Sequence, residues 1–168
     1  LAEKVRNRSV AIKMHVGDNI GYSTIPPVFI RKLVDFIRAS GGDAFCTDHY
    51  VARRNPGIRG YTEQALDCPI LEACGHLGKY FYTRDVDFNG FRHVDIAGLI
   101  HDADFLIDLS HAKGHGCCGF GGACKNLAMG AVTDRTRGEI HALEGGISWN
   151  EDLCIHCDKC IAACNHQA

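Results

Sequence analysis

Cys154, Cys157, Cys160 and Cys164 stand in the order C-x-x-C-x-x-C-x-x-x-C close to the carboxyl end of the chain. Three thiolates at intervals of three can wrap a short loop around one face of a cubane, and a fourth, four residues on, opens a helix that leads away. Soft thiolates also suit iron-sulfur chemistry better than hard cations do. The run therefore predicts a four-iron iron-sulfur cluster with these four cysteines as metal ligands. A structural zinc site usually draws two C-x-x-C pairs from separate knuckles, which weighs against zinc. Ten cysteines in all leave a disulfide framework as an arithmetic alternative, but the chain is long enough for a full core and four of the thiols are crowded together.

A second concentration of reactive groups lies at residues 111–126, where His111, Lys113, His115, Cys117, Cys118, Cys124, Lys125 and Asn126 are interleaved with glycines. Gly119, Gly121 and Gly122 would let backbone approach a ligand closely, and amides opening a following helix favour an anion. His111, His115 and Lys125 are candidate acids, bases, metal ligands or covalent anchors, with Asn126 beside them. A plain structural turn with satisfied histidines is the competing reading of the same loop. Cys117, Cys118 and Cys124 are expected to be small core residues, since an isolated cysteine behaves as a buried hydrophobe.

These groups need a frame. Residues 9–15 form an apolar run with one lysine, stopped by Gly17, which predicts a buried strand ending at His15. Pro26 and Pro27 precede Ile30, Leu33, Val34 and Ile37 at helical spacing, and Gly41-Gly42 stops that helix. A second strand follows over 43–48, then a loop over 49–60 and a helix from 62 to about 77 that Pro69 should break or restart. Strand 91–95, helix 96–102, strand 104–110 and helix 122–129 complete the series.

Alternating strands and helices predict an α/β domain built on an open, mostly parallel sheet with helices on both faces, over residues 1–148. The composition changes at about Trp149, so residues 149–168 are read as a short ferredoxin-like, cysteine-rich tail. Ligands of such sheets bind at the carboxyl ends of the strands. The loops after His15, Asp48 and Ser110 are therefore where chemistry should gather, with Asp18, His49, Arg53, Arg54 and His111 in them. His15 is a candidate catalytic residue, and Arg53, Arg54 and Arg59 could fork onto a carboxylate or phosphate. Asp102, Asp104 and Asp108 are expected to serve caps and edges, while His76, His93 and His101 carry no motif.

At 46% hydrophobic and 23% charged, with a net charge of -2 and no run of like charge, the 168 residues read as a globular domain. No broad electropositive surface points to nucleic acid, and no apolar stretch reaches the roughly 20 residues that a membrane span needs. A cytoplasmic location is the expectation. The first residue is Leu1 rather than methionine and the last cysteine lies near the end, so a trimmed polypeptide is expected too.

The tail resembles bacterial ferredoxins, in which the fourth cysteine of such a run ligates the other of two clusters. By that resemblance Cys164 would pair with a second run lying beyond Ala168. From Val10 onward the chain also resembles a family of uncharacterised iron-sulfur-centre proteins, catalogued as a domain of unknown function, that join an α/β domain to a ferredoxin-like segment. The motifs that carry this are Ala11-Ile12-Lys13-Met14-His15 with Gly17, Gly41-Gly42 with Thr47-Asp48, and Ser110-His111-Ala112-Lys113-Gly114-His115. Gly119-Phe120-Gly121-Gly122-Ala123, Lys125-Asn126-Leu127-Ala128-Met129-Gly130, His141 and the cysteine tail complete them. A more distant likeness joins His115, Gly119, Phe120, Gly122, Ala123 and Lys125 to a loop of the nickel-pincer lactate racemase family. That resemblance implies a lysine anchor for a nickel-containing cofactor at Lys125, an acid/base at His115 and a metal ligand at His141. The two loops differ at Gly121 and Cys124, where the racemases favour serine and arginine.

Three functions compete. The first is a redox protein that binds a small anionic substrate and exchanges single electrons through the tail. The second is a racemase-like isomerase with a metal or organometallic cofactor near Lys125. The third is an electron-transfer module that docks a protein partner and catalyses nothing.

Overall fold

The fold was obtained as a computed structural model and describes residues 1–17, 24–88, 90–116, 118–143 and 149–164. Asp18, Cys117 and Asn165 fall outside the described residues. After a short helix α1 (Ala2–Val5), strand β1 (Ser9–Met14) runs through the middle of the domain. Successive side chains of a strand point to opposite faces. Val10, Ile12 and Met14 on one face and Ala11 and Lys13 on the other are all at most 1% exposed. A strand covered on both sides must be nearly apolar throughout, which is why this segment reads as one continuous run.

Helix α2 (Pro27–Ala39) starts on a proline at its first position and ends at Ser40 before Gly41, whose φ of 82° suits the left-handed turn there. Its Ile30, Val34 and Ile37 fall on one stripe and pack against Val10, Ile12 and Met14. Burying each such side chain is worth about 1.5–3 kcal/mol. Strand β2 (Asp43–Asp48) pairs in parallel with β1, placing Ile12 beside Cys46.

The helix expected over 62–77 stops early. Only α3 (Glu63–Leu66) forms, capped by the Thr62 hydroxyl, and Asp67 then turns left-handed at φ 56° just ahead of Pro69. The chain beyond Pro69 becomes strand β3 (Ile70–Glu72), parallel to β2. Strands β4 (Phe81–Phe88) and β5 (Phe91–Ala97) follow as an antiparallel hairpin of their own. Strand 91–95 thus exists and is longer than expected, but it lies outside the parallel sheet. Its partner β4 is mostly exposed, so no apolar pattern announces it. The Asn89-Gly90 dipeptide between them is a strong hairpin signal.

Helix α4 (Gly98–Asp102) leads to β6 (Phe105–Leu109), which pairs in parallel with the other side of β1. The sheet order is β3-β2-β1-β6. The glycine-rich segment is more ordered than a plain loop. It folds into a hairpin, β7 (Lys113–His115) and β8 (Gly119–Gly121), before helix α5 (Ala123–Gly130). Helix α6 (Asp134–Leu143), which no expectation covered, follows on Thr133.

Helices cover both faces. The α5 side chain of Asn126 bonds Lys13, which points away from α2. Ile100 of α4, Leu127 of α5 and Ala131 form a smaller apolar cluster with Ala73, Cys74 and Ala97. The α/β class and the flanked parallel sheet therefore hold. The β4–β5 hairpin is fastened to this side through Asp95, which is 1% exposed and takes two guanidinium bonds from Arg135 and hydroxyl bonds from Thr83 and Thr133. A 3-10 turn (Glu151–Leu153) and helix α7 (Lys159–Ala162) form the tail.

Candidate active site

A cavity of about 300 Å³ opens at the carboxyl edge of the sheet, where β1, β2 and β6 end. An open α/β sheet binds ligands there because the strand ends and helix starts converge on it. Five histidines line it: His15 after β1, His49 after β2, His111 after β6, His115 at the end of β7 and His141 in α6. Lys125, Asn126, Gly121 and Gly122 line it as well. The structure thus brings most of the expected catalytic and cofactor-binding residues into one space. Gly119 pairs with His115 in the hairpin and lies outside the lining.

Beneath the cavity sits a buried ionic cradle that sequence reasoning missed. Lys13 is fully buried, and its Nζ donates to the Met14 carbonyl (2.9 Å), Asp48 Oδ1 (2.9 Å) and Asn126 Oδ1 (2.5 Å). Three acceptors around one nitrogen match the three hydrogens of an ammonium. Burial pushes the Lys13 pKa down, and the facing Asp48 charge opposes that shift. Burial would raise Asp48, but the His15 ring nitrogen 3.7 Å away, the Lys13 charge and hydrogen bond and the Val16 N–H outweigh it and hold its pKa at about 2. Asn126 uses its amide nitrogen to reach the Lys13 carbonyl (3.1 Å) and Asp108 Oδ1 (2.8 Å), tying α5 to both β1 and β6. Gly130 completes the cradle, because a methyl there would overlap Lys13 Nζ and lie 2.5 Å from its Cε. One lysine inside an apolar strand covered on both faces was the available signal for this group.

His49 is held as an oriented imidazole. Its backbone N–H bonds Asp48 and its Nε2 lies 3.0 Å from Asp134, which also accepts the Tyr50 hydroxyl. Among the described residues, the buried Nδ1 atoms of His49 and His111 have no hydrogen-bond partner. Lys113, Arg54 and Arg137 join the lining. Burial lowers the Lys113 pKa, an effect partly opposed by Asp48. Arg137 was missed because α6 was, although Thr133 followed by Asp134 is a helix-start signal and Thr133 does receive the Thr136 N–H. Arg53 borders a neighbouring cavity instead. Arg59 is not in the lining but donates to the carbonyl of Gly17, which is, at 3.0 Å.

The remaining expectations sort differently. Asp104 accepts the Ser9 N–H at 2.8 Å, an edge role as expected. His93 pairs with Asp85 on the hairpin surface, and His101 with Asp102. Cys118 and Cys124 are exposed, which corrects their expected place in the core: Cys118 lies in the turn of the β7–β8 hairpin and Cys124 in the exposed first turn of α5. Among the described residues the buried cysteines are Cys46, Cys68 and Cys74.

The four tail cysteines lie outside the cavity lining. Cys157 and Cys160 are exposed, Cys154 and Cys164 half-buried. Among the described residues no three histidine, cysteine or acidic side chains are gathered as a metal set. The donor set nevertheless suits a thiophilic cluster. Left-handed turns at His156 (φ 51°) and Asp158 (φ 56°) curl the backbone between the thiols. The neighbouring Trp149 side chain and His156 N–H lower the Cys154 pKa, the direction that favours a thiolate.

Among the described residues no helix is long and apolar enough to cross a membrane. No curated protein and no solved structure matches the chain. The sequence pattern of one family, described as Domain of unknown function (DUF362), matches residues 10–167. That span takes in the sheet, the cavity and the cysteine run, and the chain belongs to this family.

Proposed function

We propose that the chain is a redox protein that binds a small anion in the cavity at the sheet edge and holds an iron-sulfur cluster on Cys154, Cys157, Cys160 and Cys164. One observation carries the reading of the cavity. Among the described residues, Lys113, Lys125, Arg54 and Arg137 border it together with five histidines and one carboxylate, that of Asp48, which Lys13 neutralises from below. Such a lining attracts anions, and its low-dielectric walls strengthen the attraction.

The residues divide the work. Lysine and arginine groups fix the anion, and Gly121 and Gly122 leave room for it beside the start of α5. His49, oriented by Asp134, and His111 hold or release a proton at Nδ1. When bound, the cluster supplies single-electron chemistry. Titration of the full chain with inorganic phosphate and acetate, followed through the histidine ring resonances, should shift those of the cavity and leave His93 unmoved. Anaerobic reconstitution should give roughly four irons per chain, with Cys157→Ala losing iron and visible absorption. A colourless, iron-free protein under those conditions removes the cluster from the proposal.

A second reading has its own support: Lys125, His115 and His141 line the same cavity, as a cofactor anchored near Lys125 would need. Intact-mass measurement decides it, since a racemase-like enzyme would carry a covalent adduct that Lys125→Ala abolishes.

A further inference from the structure

Two thiols meet in the core that α2 covers, away from the cavity. Cys46 stands in β2 and Cys68 between α3 and β3, and their sulfurs lie 3.5 Å apart and share a hydrogen bond. Both are free thiols, Cys46 fully buried and Cys68 3% exposed. The backbone holds them together. Cys46 pairs with Ile70 across the β2–β3 ladder and its N–H bonds the Pro69 carbonyl at 2.9 Å, which pins the residue after Cys68 against β2. On the other side of Cys68, Asp67 is fastened to α2 through Arg38 and, at 3.4 Å, Arg31. The cover over Cys68 is thin, since Asp67 is half-buried and Pro69 exposed.

We infer that Cys46 and Cys68 are a reversible redox pair, which a peroxide converts to a disulfide joining β2 to the turn ahead of β3. The inference goes beyond the proposed function and uses neither the cavity nor the cysteine tail. A peroxide is small enough to reach a thiol one residue below the surface, and Cys68 is the sulfur that meets it. A hydrogen bond from the Cys46 thiol lowers the Cys68 pKa, with burial opposing and the Arg38 charge helping, while the same bond and burial raise that of Cys46. The Cys68 thiolate attacks one peroxide oxygen, the O–O bond breaks, and Cys68 becomes a sulfenic acid as hydroxide leaves. The Cys46 sulfur then attacks the Cys68 sulfur. The S–O bond breaks, the departing hydroxyl takes the Cys46 proton and leaves as water, and the first hydroxide takes up the proton that Cys68 had given. Two thiols are thus oxidised by two electrons and the peroxide is reduced to two waters. The sulfurs need to close by only about 1.5 Å to reach bonding distance. A dithiol reductant returns the two electrons and both protons, as a reversible intracellular disulfide requires. The bond would close a loop that carries His49, Tyr50 and Arg54 of the cavity lining.

Peptide mapping of the full chain tests this. The folded protein is treated with hydrogen peroxide, quenched into denaturant with excess iodoacetamide, and cleaved after lysine, arginine and glutamate, which separates Cys68 from Cys74 at Glu72. The Cys46 and Cys68 peptides should appear joined, and dithiothreitol before the quench should return both as alkylated thiols. Cys74, as deeply buried at 2% exposure, should stay alkylated throughout. In Cys68→Ser, Cys46 should remain alkylated at the same peroxide dose. Cys46 and Cys68 both alkylated while the exposed cysteines are oxidised, or Cys68 joined to some other cysteine, would overturn the inference on the unaltered chain alone. So would a Cys46–Cys68 link that forms equally well in chain unfolded before the peroxide is added, because the fold would then have no part in it.

Discussion

The cradle under the cavity and the cysteine tail solve the problem of presenting reactive groups in opposite ways. Lys13, Asp48 and Asn126 are each less than a tenth exposed and hold one another through bonds of 2.5 to 2.9 Å. The tail exposes Trp149, Leu153, Ile155 and Ile161 by more than half, together with two of its thiols. The cradle is organised by the fold itself. The tail has four thiols and two left-handed turns but little apolar packing of its own, so on the proposed reading a bound cluster would supply its order, as in small metal-dependent segments.

That contrast can be broken most severely at Lys13. Lys13→Met leaves Asp48 buried without its counter-charge and should cost about 3–5 kcal/mol of stability, read from chemical denaturation. Acid should act next. The folded Asp48 pKa of about 2 lies below its ordinary 3.8, so its contribution is fully present above pH 4 and disappears as pH falls through 2. The loss should be about 2 kcal/mol. Asp95, held down chiefly by Arg135, loses its share with the same sign, so the acid limb should flatten but persist in Asp48→Asn. Gly130→Ala should cost about 1–3 kcal/mol, because Lys13 cannot retreat without leaving its three acceptors. At the other extreme, Cys157→Ala should shift the unfolding of the α/β body by less than about 0.5 kcal/mol while abolishing iron uptake. A loss of stability there comparable to Lys13→Met would show that the tail and the body fold as one unit.

Much of this frame was legible because its strands are covered on both faces. The apolar run of β1, the stripe Ile30, Val34 and Ile37 and the Gly41 stop each follow from burial or backbone geometry, and each appears as expected. The hairpin strand β4 was not legible, since it is mostly exposed and carries Arg84, Asp85 and Asp87 within four residues, which alternation cannot sort. Helix α6 hid for a related reason: Thr136 is its only buried residue among those described, so it lacks an apolar stripe. The site divides along the same line. His15, His111, His115 and Lys125 could be placed because they follow strands. Arg137 and the orienting Asp134 could not, because they ride on the helix that was missed. Lys13 hid in plain view as an exception within an apolar run.

Asn126 has one more consequence. Neighbouring positions on an α-helix point about 100° apart. Sliding or rolling α5 by a single residue would tear the amide from Lys13 and Asp108 and swing Lys125 out of the crevice in the same motion. The helix therefore works as a keyed shaft: the side chain locked underneath dictates the bearing of the one that lines the cavity, and neither can be retuned without the other.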